Sequence, residues 1–439
     1  MKFGRRFRIE LLEQGFPQHW VDSAVPYAQL KKVINKVCLE LQEYGLDIAA
    51  LAQMPPVQDE APQCSGGSIR RGSWDGSKEE FRPKLTLFFE DDQAVDAALS
   101  HDTRAFLKNR MQQQGRPGDL VDNANQERDN TSTDGPVLRQ VEIPLTFDTE
   151  FFGLLHEDVS HLDALQAKEQ QLLTREIHEL SKEISALAKP SKFGKSDMYA
   201  WRQLFDLYLQ AAVFFSTQET NTGSRSPTFA AQQLEWFQNE VTKRGLVGIF
   251  NLPASHRALD KFVKINIALL RNMRFLEINQ IAIGKILKKF DKRTNLGITE
   301  KAPKFIQVES LMPQTIAKAV CSQVTQDLIK ITPQLDDYLC PVCFTIAWRP
   351  IRLKCSHMLC VLCAITLQNA KRRRCPLCRR HVIQDATEDD YDADFAKFLK
   401  KYFPKEIKNK QVDLQNAAGE EKFGIYYSQD SGNRQCQVM

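Results

Sequence analysis

The sequence predicts a mainly α chain, an N-terminal helical bundle of long antiparallel helices followed by a small zinc-stapled module. Three observations predict it. Apolar residues return every three or four positions over two very long stretches, the period of a helix that buries one face. Strand-like alternation is missing from those stretches, which favours antiparallel helices packed on one another. Between Cys340 and Cys378 stand eight metal-ligand residues, arranged as C-P-V-C, eleven residues, C-S-H-M-L-C-V-L-C, eleven more, and C-P-L-C.

Length and composition suit this architecture. A chain of 439 residues that is 42% hydrophobic can bury more than one core, so two or three folded units are expected. The 59 basic and 55 acidic residues leave a net charge of +4, too little to imply nucleic-acid binding by itself. Seven of the eleven cysteines lie in the cluster, with Cys38, Cys64, Cys321 and Cys436 scattered. That usage suits a reducing compartment and metal-bound thiolates better than a disulfide framework. Met1-Lys2-Phe3-Gly4-Arg5-Arg6 is followed by no apolar run, and no uninterrupted apolar stretch reaches about 20 residues, so the chain reads as soluble and intracellular.

The elements follow in order. In the segment 20–50, Leu30, Val33, Ile34, Val37 and Leu41 form one apolar stripe, and Pro26 sits where a helix can begin. From 54 to 140 the texture turns to Pro, Gly, Ser, Asp and Gln, the composition of a long, largely disordered insertion. Its Lys84–Phe89 run is either a strand or a short docking segment. A long helix is expected from Thr149 to Lys189 through Phe152, Leu155, Val159, Leu162, Leu173, Ile177, Leu180, Ile184 and Leu187, stopped by Pro190. At about 1.5 Å per residue it spans on the order of 60 Å. Further helices are read near 197–216 and 229–245, on either side of the polar stretch Ser216–Pro227. The last helix of the bundle runs from Ser255 to about Lys292. Residues 297–337 form a connector with one helix around Pro313–Ile331, the metal cluster fills 338–383, and 384–439 hold an acidic run, a helix ending at Phe403-Pro404 and a polar tail.

In the last long helix Lys285, Lys288, Lys289 and Lys292 lie at i, i+3, i+4 and i+7, beside an apolar stripe of Ile283, Ile286, Leu287 and Phe290. Like charges at this spacing cost roughly 0.2–0.5 kcal/mol each, and a cost without packing benefit points to a ligand, although a solvated face is the plain alternative. Tyr27, Lys31, Lys32 and Lys36, with Lys2, supply a second basic group. If the bundle brings these ends together, the surface suits a compact polyanion with several phosphates better than duplex DNA, because the charges are concentrated. M-K-F-G at the start, Y-A-Q-L-K-K at 27–32 and E-I-N-Q-I-A-I-G-K-I-L-K-K-F-D-K at 277–292 resemble the signatures of the SPX domain. The resemblance covers 1–296, split by the 54–140 insertion. It implies that Lys2, Tyr27, Lys31, Lys36, Lys285, Lys288, Lys289 and Lys292 bind an inositol polyphosphate as a signal of phosphate status.

Cys340, Cys343, Cys355, His357, Cys360, Cys363, Cys375 and Cys378 supply two sets of four ligands, enough for two closed tetrahedral zinc sites. Spacing alone allows sequential or interleaved sets. With one residue between Cys355 and His357, the pattern over 338–380 resembles the RING finger in its three-Cys, one-His, four-Cys form, a small α+β fold. The resemblance implies two structural Zn²⁺ ions in interleaved sites: Cys340, Cys343, Cys360 and Cys363 on one, Cys355, His357, Cys375 and Cys378 on the other. It implies ubiquitin ligation by scaffolding, without a covalent intermediate, through a ubiquitin-charged conjugating enzyme contacted by Val342, Leu367, Pro376 (with Leu377) and Arg379. An Arg suits a bridge between enzyme and ubiquitin because its planar fork offers several donors; the plain alternative is that it extends the basic run Lys371–Arg374 with Arg380.

The terminal Cys436-Gln437-Val438-Met439 matches a prenylation signal loosely, since Gln437 is not aliphatic. The sequence thus leads to a RING-type ubiquitin ligase regulated by an SPX-like domain, with a protein substrate for which phosphate transporters are an analogy. The alternative is a non-enzymatic phosphate-signalling adaptor that uses its zinc module for protein contacts. Nucleic acid is a disfavoured partner, a membrane is expected only if Cys436 is prenylated, and the cytoplasm is the expected location, with the nucleus left open.

Overall fold

In a computed structural model, the described residues are 3–43, 46, 70–71, 85–89, 105, 139–143, 146–191, 196–215, 225–296 and 313–423. Lys2, Cys436 and most of the 54–140 insertion lie outside them. Helices dominate: α1 (Phe3–Glu13), α2 (Gln18–Asp22), α3 (Tyr27–Glu43), α4 (Thr146–Leu187), α5 (Met198–Ala211), α6 (Pro227–Lys243), α7 (Leu246–Ile249), α8 (Pro253–Thr294) and α9 (Pro313–Asp327). The run at 85–89 is a strand. It is β2 (Leu85–Phe89) of an antiparallel sheet, between β1 (Arg70–Arg71) and β3 (Arg139–Ile143), with Leu87 opposite Val141. The zinc-ligand region adds β4 (Pro350–Arg352), β5 (Met358–Cys360) and α10 (Val361–Asn369), followed by α11 (Ala393–Tyr402) and α12 (Pro404–Phe423). No helix among the described residues is long and apolar enough to cross a membrane.

Helix α11 ends at Tyr402, just before the expected Phe403-Pro404 stop, but Pro404 also begins a helix in what was read as a polar tail. Proline is favoured at the first helical position, where its missing N–H costs no bond, and the polar composition that follows builds a 20-residue helix. At its start Ile407, with Phe403 just before the helix, is buried.

The chain forms two compact units, and all their boundaries but the one at Val213–Phe214 fall within helices. One comprises Met1–Arg175, Phe214–Ala231 and Ile265–Cys321, the other Glu176–Val213, Gln232–Lys264 and Ser322–Met439.

In the first unit, the apolar stripe of α8 is buried as its period requires, with Ile286 and Phe290 fully covered. The Phe290 ring stacks 4.6 Å from Phe151 and 5.3 Å from Phe152 of α4. Helix α4 starts where Glu40 of α3 holds its free N–H groups: Oε1 accepts from Thr146 at 2.6 Å and Oε2 from Phe147 at 3.0 Å. A carboxylate there satisfies orphan donors and faces the positive end of the helix dipole. Directly behind it Asp148 is fully buried, and its Oδ2 lacks a hydrogen-bond partner.

In the second unit, Asp197 gathers the turn before α8, accepting from Ser255 Oγ at 2.6 Å, Asn251 N at 2.8 Å and Leu252 N at 3.0 Å. Burial pushes its acidity down, but those hydrogen bonds outweigh burial and hold its carboxyl below the usual range. Arg202 of α5 is the main buried cation. Its guanidinium lies 4.2 Å over the Phe403 ring and 5.0 Å over Tyr199. It donates to Pro333 O and Tyr402 O, each at 2.8 Å. Beside it Tyr199 donates to Glu406 Oε2 at 2.8 Å. Helix α5 is thus clamped to the α11–α12 elbow, and that elbow is shared with the zinc module: Leu399, Phe403 and Ile407 belong to the same buried cluster as Cys340, Leu353, Leu359 and Ile383.

Burial raises the Asp148 carboxyl from 3.8 to about 7, and the nearby Glu40 carboxylate adds to the rise. The folded chain therefore holds a proton there that the unfolded chain has lost. Stability should fall as pH rises between about 4 and 7, by up to a few kcal/mol. Asp148→Asn should flatten that slope, read as the urea midpoint against pH.

Candidate metal centre and basic surface

The ligand region builds itself from two copies of one local structure. In the first, Cys340 N donates to Thr345 O and Phe344 N donates to Cys340 O, both at 2.8 Å. In the second, Cys375 N donates to Arg380 O at 2.8 Å and Arg379 N to Cys375 O at 2.9 Å. Each C-P-x-C knuckle thereby turns back on its own cysteine, and the residue after the second cysteine takes a left-handed backbone, φ 54° at Phe344 and 61° at Arg379. Non-glycine residues hold that conformation at a cost of order 1 kcal/mol or more, so the surroundings must enforce it. Between the knuckles β4 pairs with β5, Ile351 facing Leu359. Their turn carries Cys355 and His357, closed by Leu353 N donating to His357 O at 2.9 Å with Ser356 at φ 69°.

The result is two interleaved sets, Cys340, Cys343, Cys360 and Cys363 in one and Cys355, His357, Cys375 and Cys378 in the other. Within each, the potential ligand atoms all lie within 4.8 Å of one another. A tetrahedral zinc with Zn–S of about 2.3 Å has S···S edges of about 3.8 Å, and Cys343 Sγ lies 3.8 Å from Cys360 Sγ. Four thiolates so close need a cation. The Cys360 thiol beside it pushes the Cys340 thiol down, and the Cys340 thiolate pushes that of Cys360 up. Backbone donation from Arg380 lowers Cys378 to about 7. Helix α12 adds Lys410, whose Nζ stands 3.8 Å from Cys343 Sγ. The residues present fit two zinc ions, one held by four sulfurs and one by three sulfurs and an imidazole.

Around this centre, Val342 and Leu367 are half-buried against the module's core. Pro376 and Arg379 are exposed, and Leu377 is 54% exposed. Sequence reasoning missed three exposed apolar neighbours in the same module: Phe344 at 76%, Ile365 at 46% and Leu362 at 36%. A signal for Phe344 was present. It occupies in the first C-P-x-C the place that Arg379 occupies in the second.

The basic residues lie in the first unit. Asn279 of α8 accepts from Val25 N at 3.0 Å, and Arg293 donates to Asn35 Oδ1. These contacts run α3 alongside α8 in the same direction, which puts Lys31 at the level of Lys285–Lys289 along the helices. Lys285, Lys288 and Lys292 are exposed, while Lys31 and Lys289 are half-buried. Tyr27 is 8% exposed, its ring 5.0 Å from Phe3. Gly4 permits that approach, since a Cβ there would stand 3.0 Å from Tyr27 Cδ1. Lys36 is engaged: its ammonium donates to both Glu150 carboxylate oxygens at 3.1 and 3.3 Å and sits 5.1 Å over the Phe147 ring.

Residues 1–306 match the SPX domain family, and residues 336–384 match the zinc finger, C3HC4 type (RING finger). Among curated proteins, the chain is 30% identical over 473 positions to a Candida albicans protein named transcriptional regulator of yeast form adherence 3, covering 93% of this chain and 95% of that one. It is 31% identical over 459 positions to an uncharacterized RING finger protein of Schizosaccharomyces pombe, covering 95% and 96%. RING finger protein 151 of Bos taurus is 40% identical over 52 residues, 12% of this chain and 21% of its own length. No solved structure matches.

Cys360→Ala opens one set and leaves three thiols facing each other. Metal analysis of the purified chain should fall from about two zinc equivalents to about one, with loss of order around β5 and α10.

Proposed function

This chain belongs to the SPX domain family and carries a RING finger of the C3HC4 type, and on that premise we propose that it is a ubiquitin-protein ligase whose helical domain senses inositol polyphosphates. The carrying observation is the pair of interleaved, closed ligand sets beside an exposed apolar face and Arg379. Two zincs in such sites have no open position and are structural. The metals supply rigidity, and no group of this module bonds covalently to substrate or ubiquitin. Its work is positional: Phe344, Leu362, Ile365, Leu377 and Pro376 offer the conjugating enzyme an apolar seat, and Arg379 donates from its planar fork to the enzyme and its ubiquitin. The thioester carbonyl is then attacked by a substrate lysine amine, and the enzyme's thiol leaves.

The sensor reading draws on the lysines of α3 and α8. A bound polyphosphate would gain charge-assisted hydrogen bonds from Lys31, Lys285, Lys288, Lys289 and Lys292, and would compete with Glu150 for Lys36. Tyr27 packs the foot of this surface. The ligand level is then read out as ligase activity toward a protein substrate. The Candida relative's name mentions transcriptional regulation, and this favours as second reading an adaptor whose zinc module only makes protein contacts.

Arg379→Ala should keep about two zincs yet slow ubiquitin discharge in a reconstituted reaction; failure of every conjugating enzyme with the folded, zinc-loaded wild type would leave the adaptor. Calorimetry with inositol hexakisphosphate should show affinity falling about tenfold or more for Lys288→Ala with Lys289→Ala, and unchanged affinity would refute the sensing surface.

A further inference from the structure

Beside the second zinc set lies a charge concentration that the ligase reading uses only at Arg379. The ten residues Lys371–Arg380 carry six cations and no carboxylate, more charge than the net +4 of the whole chain. All six, Lys371, Arg372, Arg373, Arg374, Arg379 and Arg380, are exposed. The ion pairs among the described residues of this module are Arg352–Asp392, Lys354–Asp385 and Lys397–Asp394, and none includes one of the six.

A solvated flexible loop would spread such charges apart. This one is held. Arg372 N donates to Leu367 O, and Val382 N to Arg373 O at 3.0 Å, while Arg374 forms an antiparallel bridge with His381. Gln384 Nε2 donates to Arg372 O at 3.0 Å and to Gln368 O at 3.2 Å. Cys375 and Cys378 fasten the same hairpin to the second ligand set, and Lys371 is locked at φ 56°. The backbone therefore fixes like charges together that gain nothing from one another, which preorganises them for an anion.

We propose that this rim docks an acidic segment of the ubiquitin-charged conjugating enzyme, and so selects enzymes that carry one. The proposal rests on the ligase reading. Continuity favours this occupant: the rim includes Arg379 and flanks the exposed Leu377, so an enzyme seated on that apolar face brings its own surface over the guanidinium groups. Five of the six cations are Arg, whose forks match carboxylates bidentately. Nucleic acid fits less well, because residues 371–381 contain no Phe, Tyr or Trp on which a base stacks, and the His381 ring is engaged by Arg374 Nε at 3.3 Å.

The test uses the full-length, zinc-loaded chain and a variant with Lys371→Ala, Arg372→Ala and Arg373→Ala, which leaves Arg374, Arg379 and every ligand in place. Direct binding and discharge kinetics are measured with a conjugating enzyme bearing an Asp/Glu-rich extension and with the same enzyme truncated before it. The rim variant should weaken binding of the extended enzyme, and raise its KM, by about tenfold, and truncation of the extension should do the same to the wild type. A chain with Lys243→Ala and Arg244→Ala, exposed cations at the end of α6, should bind the extended enzyme as the wild type does. Discharge that ignores both the rim variant and the extension overturns the rim and leaves the ligase. Rim-dependent binding without discharge by any enzyme overturns the ligase instead. A DNA duplex of equal charge that binds more tightly than the extended enzyme, and is lost with the same variant, would make the rim a nucleic-acid surface.

Discussion

Thiolates repel, and four of them within 4.8 Å of one another hold together only around a cation. Much of the second unit follows from that constraint. A module of about 45 residues has too little apolar core to fix its fold, so each ligand set ties together segments that the chain separates. Cys340 and Cys343 meet Cys360 and Cys363 across β4 and β5, and Cys355 and His357 meet Cys375 and Cys378 across α10. Tight knuckles are the cost, and their left-handed residues are Phe344 and Arg379. The same geometry that gathers the ligands also leaves an apolar ring and a guanidinium exposed at the surface.

The module does not stand on metal alone. Phe403 and Ile407, from the elbow between α11 and α12, complete its apolar cluster. Arg202 lies over the Phe403 ring and binds the carbonyl of Tyr402. A buried guanidinium needs its donors met and its charge faced by π density or carboxylate; here Pro333 O and Tyr402 O accept two donors, Phe403, Tyr199 and Glu406 face the charge, and Nη1 is left without a hydrogen bond. Together these contacts bind helix α5 of the family's helical domain to the zinc module within one compact unit.

In the first unit the governing contrast is between neutralised and unneutralised charge. Glu40 is consumed by the start of α4 and Glu150 by Lys36. Lys285, Lys288 and Lys292 stay exposed along one face of α8. Surface ion pairs are worth only about 0–1 kcal/mol, so the Lys36–Glu150 contact holds that lysine weakly. The acidic neighbour lowers the repulsion among the lysines without sealing them.

By itself the sequence determined what depends on local spacing: the helical period of α4 and α8, the identity of eight ligands, and the cationic stripe at 285–292 all repeat within a few residues of one another. It left open what depends on distant segments meeting. Spacing by itself does not separate interleaved from sequential ligand sets; the RING resemblance implied interleaving, and the β4–β5 reversal brings it about. Pro404 reads as a stop, which it is for α11, and the elbow at Phe403 shows it starting a second helix as well. Phe344 looks like one more apolar residue until its backbone turns it out to 76% exposure. Lys36 looks free until a carboxylate 114 positions away arrives beside it. Periodicity and ligand count are properties of the chain, whereas pairing, exposure and neutralisation are properties of neighbours, and neighbours exist only once the chain has folded.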